Sequence, residues 1–88
     1  MENTIILEQL LALLEGNGIT IRREALGGAA GGLCTIKGQK IFFVDTQAPS
    51  AEIAAQAAQA VLQNVDIETV YIRPQVRQFI ELIAERNE

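Results

Sequence analysis

Between residues 3 and 15, hydrophobic positions recur at helical spacing. Ile6, Leu7, Leu10, Leu11, Leu13 and Leu14 form one broad stripe, and Thr4, Glu8, Gln9 and Glu15 fall off it. Asn3 or Thr4 can cap the start through a side-chain oxygen, and Gly16-Asn17-Gly18 ends the helix with residues that accept the left-handed conformation. Ile19 to Glu24 then alternates as a half-buried strand. Leu33–Lys37 and Lys40–Asp45 read as a hairpin across Gly38-Gln39, where glycine at the first central position suits a type II′ turn. Ile41 to Val44 is apolar on both faces, which marks the centre of a sheet.

Pro49 suits the first turn of a second helix, residues 50–63. Its polar positions, Glu52, Gln56, Gln59 and Gln63, form one narrow edge. Thr69 to Ile72 reads as a short fourth strand, and Pro74 opens a last helix to about Arg86, with Val76, Phe79, Ile80 and Ile83 on its buried side. The run from strand 41–45 through the helix to strand 69–72 has the length of a right-handed crossover, which would make those strands parallel. The expected fold is α+β, a mixed four-stranded sheet with three helices in the order α-β-β-β-α-β-α. It forms a single globular domain over residues 1–88.

Composition narrows the chemistry. The chain is 49% hydrophobic but only 5% aromatic, so its core is built from Ile, Leu, Val and Ala. No apolar run approaches the roughly 18 residues of a membrane span, and no basic segment precedes an apolar one with a small-residue cleavage site. A lone cysteine excludes an intramolecular disulfide and points to a reducing compartment, with the cytoplasm as the expected location. The net charge of −4, with only seven Lys and Arg, argues against nucleic acid as a partner, because phosphate binding draws on clustered cations. Histidine is absent, which removes Ser-His-Asp and Cys-His catalysis and His-ligated zinc. One cysteine builds neither a Cys₄ site nor a CxxC pair. The expectation is therefore no metal, no cofactor and no catalytic residue.

Four features remain as site candidates. Gly27-Gly28-Ala29-Ala30-Gly31-Gly32 invites a phosphate-loop reading, but it leads into a strand, and Leu33-Cys34 stand where Lys-Ser would be needed. The alternatives are a bulged or mobile connection and a loop that closes over a ligand. Cys34 is expected to be a small buried hydrophobe; a reactive thiol would need a cation nearby, with Arg22, Arg23, Lys37 and Lys40 in reach by sequence. Asp45, at the end of the apolar strand, is expected to accept hydrogen bonds from the first turn of helix 50–63, with a functional carboxylate as the alternative. Arg73 and Arg77 flank Pro74, and Arg77 sits i,i+4 from Glu81. Collected into one pocket, the ligand-binding candidates are Gly28, Gly31, Gly32, Cys34, Asp45, Tyr71 and Arg73.

Helix 50–63 carries apolar or small residues over more than half its circumference. Either the sheet and a neighbouring helix cover that width, or part of it faces a second subunit. The expected interface residues are Ile53, Ala54, Ala57, Ala58 and Val61, and Ile5 on the first helix points weakly the same way. A soluble, non-catalytic domain that associates with another protein, most simply as a homodimer, is the leading functional expectation. A small-ligand or enzymatic site on the glycine loop with Cys34, Asp45 and Arg73 is the alternative.

The stretch GGLCTIKGQKIFFVD followed by PSAEIAAQAAQAVLQN resembles a small family of uncharacterised bacterial proteins with a Gly-Gly-x-Cys-x-x-(Lys/Arg)-Gly hairpin. In layout it is also similar to part of the minimal zinc peptidases (zincins) linked to phage immunity and radiation response, in which a hairpin precedes the helix bearing His-Glu-x-x-His. That resemblance implies a shared scaffold only. The metal helix would align near Ala60-Val61-Leu62-Gln63-Asn64, which supplies neither imidazole nor a general-base carboxylate.

Overall fold

A computed structural model describes residues 2–28 and 31–86. Helix α1 (Asn3–Gly16) is followed by strands β1 (Thr20–Glu24), β2 (Gly32–Ile36) and β3 (Gln39–Asp45), then by helices α2 (Ser50–Asn64) and α3 (Pro74–Arg86). The sheet order is β1-β3-β2, with β1 parallel and β2 antiparallel to β3. The α+β class and the central position of β3 are as expected, and Ile41, Phe42 and Val44 are all buried.

The sheet has three strands rather than four. Thr69–Ile72 forms no ladder: the Glu68 N–H donates to Asp66 Oδ1, and both the N–H and the hydroxyl of Thr69 donate to the Asp66 carbonyl. These local bonds compete with a strand conformation and here replace it. Ile72 still enters the core, so its burial is kept while its pairing is not. The parallel neighbour of β3 is β1 instead, in the register Thr20↔Ile41 to Glu24↔Asp45.

The hairpin turn also differs. Its central residues are Lys37 and Gly38, at φ 51° and 78°, with Ile36 opposite Gln39. Two positive φ values in a two-residue loop are the signature of a type I′ turn. The expected turn at Gly38-Gln39 would have set Lys37 directly opposite Lys40, a like-charge pair that destabilises a ladder. The observed turn puts Thr35 opposite Lys40 and moves Lys37 out of the ladder.

At its start α1 has Glu2 as the capping residue with no side-chain cap, so neither Asn3 nor Thr4 fills that role. Its end is better satisfied. The Gly18 N–H donates to the Glu15 carbonyl and the Ile19 N–H to the Leu14 carbonyl, with Gly18 at φ 84°. This is a Schellman closure, and it delivers Ile19 into the core beside Leu14. Pro49 is the capping residue of α2 rather than part of its first turn.

Three helices and one side of the sheet enclose the core. The α2 residues Ile53, Ala54, Ala57, Ala58 and Val61 are all buried within the single chain, packed among α1, α3 and the sheet. The expected interface on α2 is therefore corrected. These five side chains are covered within the single chain, which is why the apolar face of α2 can be wide. No helix among the described residues is long and apolar enough to cross a membrane.

Candidate association surface

Strand side chains alternate between faces, and the registers sort them. Ile21, Leu33, Phe42 and Val44 point to the helices and join the core. At the rim of that same side, Arg23 meets Glu8 of α1 at 3.2 Å, and Lys40 Nζ donates to Asn64 Oδ1 of α2 at 2.6 Å. The opposite side carries Thr20, Ile41 and Cys34 in one row and Arg22, Phe43 and Gly32 in the next, with Ile36 beside Gln39. None of these is part of the core cluster.

This helix-free side is apolar at its centre and along β2. Ile36 is 45% and Leu26 36% exposed, and Cys34 is also exposed. Leu26, Gly31, Cys34 and Phe43 line one shallow concavity on it. The β1 margin is polar and tied down. Gln39 Nε2 donates to Thr20 Oγ1 at 2.7 Å, Arg22 pairs with Glu24 at 2.8 Å, and the Arg22 guanidinium lies 5.7 Å from the centre of the Phe43 ring. Among the described residues, no such hydrogen bond or ion pair borders the β2 margin on this side. The expectation that Cys34 is buried is thus corrected: it alternates onto the side of the sheet that no helix covers.

Asp45 closes one end of this face and is fully buried. Its Oδ1 accepts from the Leu26 N–H at 3.0 Å and the Gln47 N–H at 2.9 Å. The donors belong to the two loops that meet over the end of β3, not to the first turn of α2. Gln47 Oε1 in turn accepts from the Gly27 N–H at 2.7 Å. Asp45 is therefore the anchor that folds the start of the glycine loop against the β3–α2 connection. Beyond it, a Cβ on Gly31 would collide with the Phe43 carbonyl oxygen, so only glycine fits that approach. Ala29 and Ala30 of the expected loop lie outside the described residues.

The other site candidates do not join this group. Tyr71 and Arg73 line a separate concavity of about 190 Å³ with Gln9, Ala12 and Leu13 of α1 and Ile72 and Val76. Tyr71 is 83% exposed there. The expected pocket of Tyr71, Arg73 and Asp45 is not assembled, because Asp45 is sealed beneath the loops on the far end of β3. Arg77 turns back to the α2–α3 connection, donating to the Ile67 carbonyl at 2.6 Å and lying 3.7 Å from Glu68, where the sequence pointed to Glu81.

The sequence reading missed the sheet side formed by Ile36, Ile41 and Phe43. Its signal was present in the apolar residues at both alternations of β3, Ile41 and Phe43 against Phe42 and Val44. With the core helices packed on the Phe42–Val44 side, Ile41 is buried at the centre of the sheet on the other side, while Phe43 is half-buried and Ile36 exposed there. Comparisons with family models, with curated proteins and with solved structures return no match for this chain.

Proposed function

We propose that this chain is a non-catalytic domain that works by association, through the β2 side of its sheet and most simply with a second copy of itself. The observation that supports this reading is the exposure of Leu26, Cys34 and Ile36 on the side of the sheet that joins no core cluster among the described residues. Exposed apolar area of this kind is a common mark of an interaction site. The chemistry available on the same side is sparse. Arg22 is committed to Glu24 and Phe43, and Asp45 is buried under two loops.

Light scattering on a sizing column, run over a concentration series, tests it. A species near twice 9.6 kDa, returned to monomer by Ile36→Asp with an unchanged circular dichroism spectrum, is the expected result. A monomer at every concentration would remove self-association. An Ile36→Asp protein that still dimerises would move the contact off this side.

A further inference from the structure

We infer that the join between two copies is edge to edge at β2, antiparallel, with Cys34 of one chain opposite Cys34 of the other; this rests on the association reading above and names its partner and register. β2 ends the sheet order, so one of its edges is open among the described residues. In a two-residue hairpin, the pair flanking the turn exchanges hydrogen bonds. That pair is Ile36 and Gln39, so Ile36, Cys34 and Gly32 direct their backbone groups toward β3. Leu33 and Thr35 direct theirs outward, to the open edge.

A two-fold pairing that uses both outward residues has one centre. Leu33 of each copy exchanges hydrogen bonds with Thr35 of the other, and Cys34 meets Cys34 between them at a non-hydrogen-bonded position. Such pairs hold their Cα atoms about 4.5 Å apart, inside the roughly 4.4–6.8 Å span that a disulfide bridges.

Two further features favour this edge over the other and a second copy over a charged partner. Natural edge strands are commonly blunted with charge, proline or a bulge. β1 carries Arg22, Arg23 and Glu24, and Arg23 is tied across to Glu8, whereas residues 32–36 hold neither charge nor proline. The groove beneath the β2 edge is lined by Gln56, Gln59 and Gln63 of α2 with Gly31–Leu33, all uncharged. A two-fold axis at Cys34 therefore brings amides against amides and no like charges. It also joins the two helix-free sides into one six-stranded surface.

The test is oxidation of the reduced wild-type chain with diamide, followed by a non-reducing gel. Two Cys34 thiols lose two protons and two electrons to diamide, which becomes the hydrazine, and one S–S bond forms. Thiols held opposite each other in a complex sit at millimolar effective concentration. At about 10 μM chain the cross-link is therefore expected roughly a hundredfold faster than collision between free chains allows. Cys34→Ser is expected to stay dimeric by light scattering, since the ladder and not the sulfur holds the copies. Thr35→Pro removes an N–H aimed at the second copy but none bonded to β3, and is expected to give a folded monomer.

A dimer whose Cys34 cross-links no faster than free chains overturns the β2 register and leaves the association reading standing. So does a folded Thr35→Pro protein that still dimerises. A wild-type chain that is monomeric throughout overturns both. The wild-type cross-link decides the register by itself if Thr35→Pro does not fold.

Discussion

At the scale of single residues, Asp45 shows how a buried carboxylate can hold two loops together. Its Oδ1 takes two backbone N–H groups from two different loops, and backbone donors in a covered site must find acceptors. Asp45→Ala leaves the Leu26 and Gln47 N–H groups unpaired, and a stability loss of about 2–4 kcal/mol is expected from two such groups. Asp45→Asn keeps a carbonyl oxygen in the same place and is expected to lose less. Urea denaturation of the three proteins checks this ranking. Equal losses for Ala and Asn would mean that the charge, not the acceptor geometry, is what the loops require.

Local sequence does not reveal this role, because the donors lie 19 residues upstream and two downstream of Asp45. A carboxylate at a strand end before a helix points to that helix by proximity alone. Cys34 departs from its expected burial for a related reason. Free cysteines are usually buried, but burial here depends on which face of β2 receives a helix, and strand alternation alone does not say which.

At the scale of elements, local pattern was legible and pairing was not. α1, α2 and α3 were readable from period and punctuation, since each carries its own apolar stripe. The partner of β3 was not, because two short segments could lie parallel to it and only one does. Thr69–Ile72 lost to β1 once Asp66 captured its neighbours in a turn.

The hairpin offers a matched pair of substitutions. Gly38 sits at φ 78° with open space around it, so Gly38→Val costs conformation rather than contact, about 1 kcal/mol or more. Lys37 holds φ 51° without the tolerance of asparagine for that region. Lys37→Asn is expected to stabilise the fold by about 0.5–1 kcal/mol, in line with the preference of type I′ turns for Asn-Gly. Opposite shifts in melting temperature would support the observed turn. Two losses of equal size would favour the alternative turn at Gly38-Gln39.

α2 gives a second element-scale prediction. Ala57 is fully buried where α2 meets the rest of the core, so Ala57→Leu overpacks the core and is expected to cost about 1–3 kcal/mol. The loss should appear in a dilute, monomeric sample and should not depend on chain concentration. A concentration-dependent loss would return this face of α2 to an interface.

At the scale of the whole molecule, charge and apolar surface act in opposite directions on association. Each chain carries a net −4, so two copies repel at long range. The proposed contact itself, residues 32–36 and the glutamine-lined groove, holds no charged side chain. Salt therefore screens the repulsion and weakens nothing at the join. Screening is strong once the Debye length falls to about 8 Å near 0.15 M ionic strength. The dimer dissociation constant is expected to fall as salt rises from about 0.01 M to that level and then to level off. Sedimentation equilibrium at three salt concentrations measures it. A dissociation constant that rises steadily with salt would mean that the copies are held by ion pairs. The contact would then belong on the Arg22–Glu24 margin of the sheet rather than at β2.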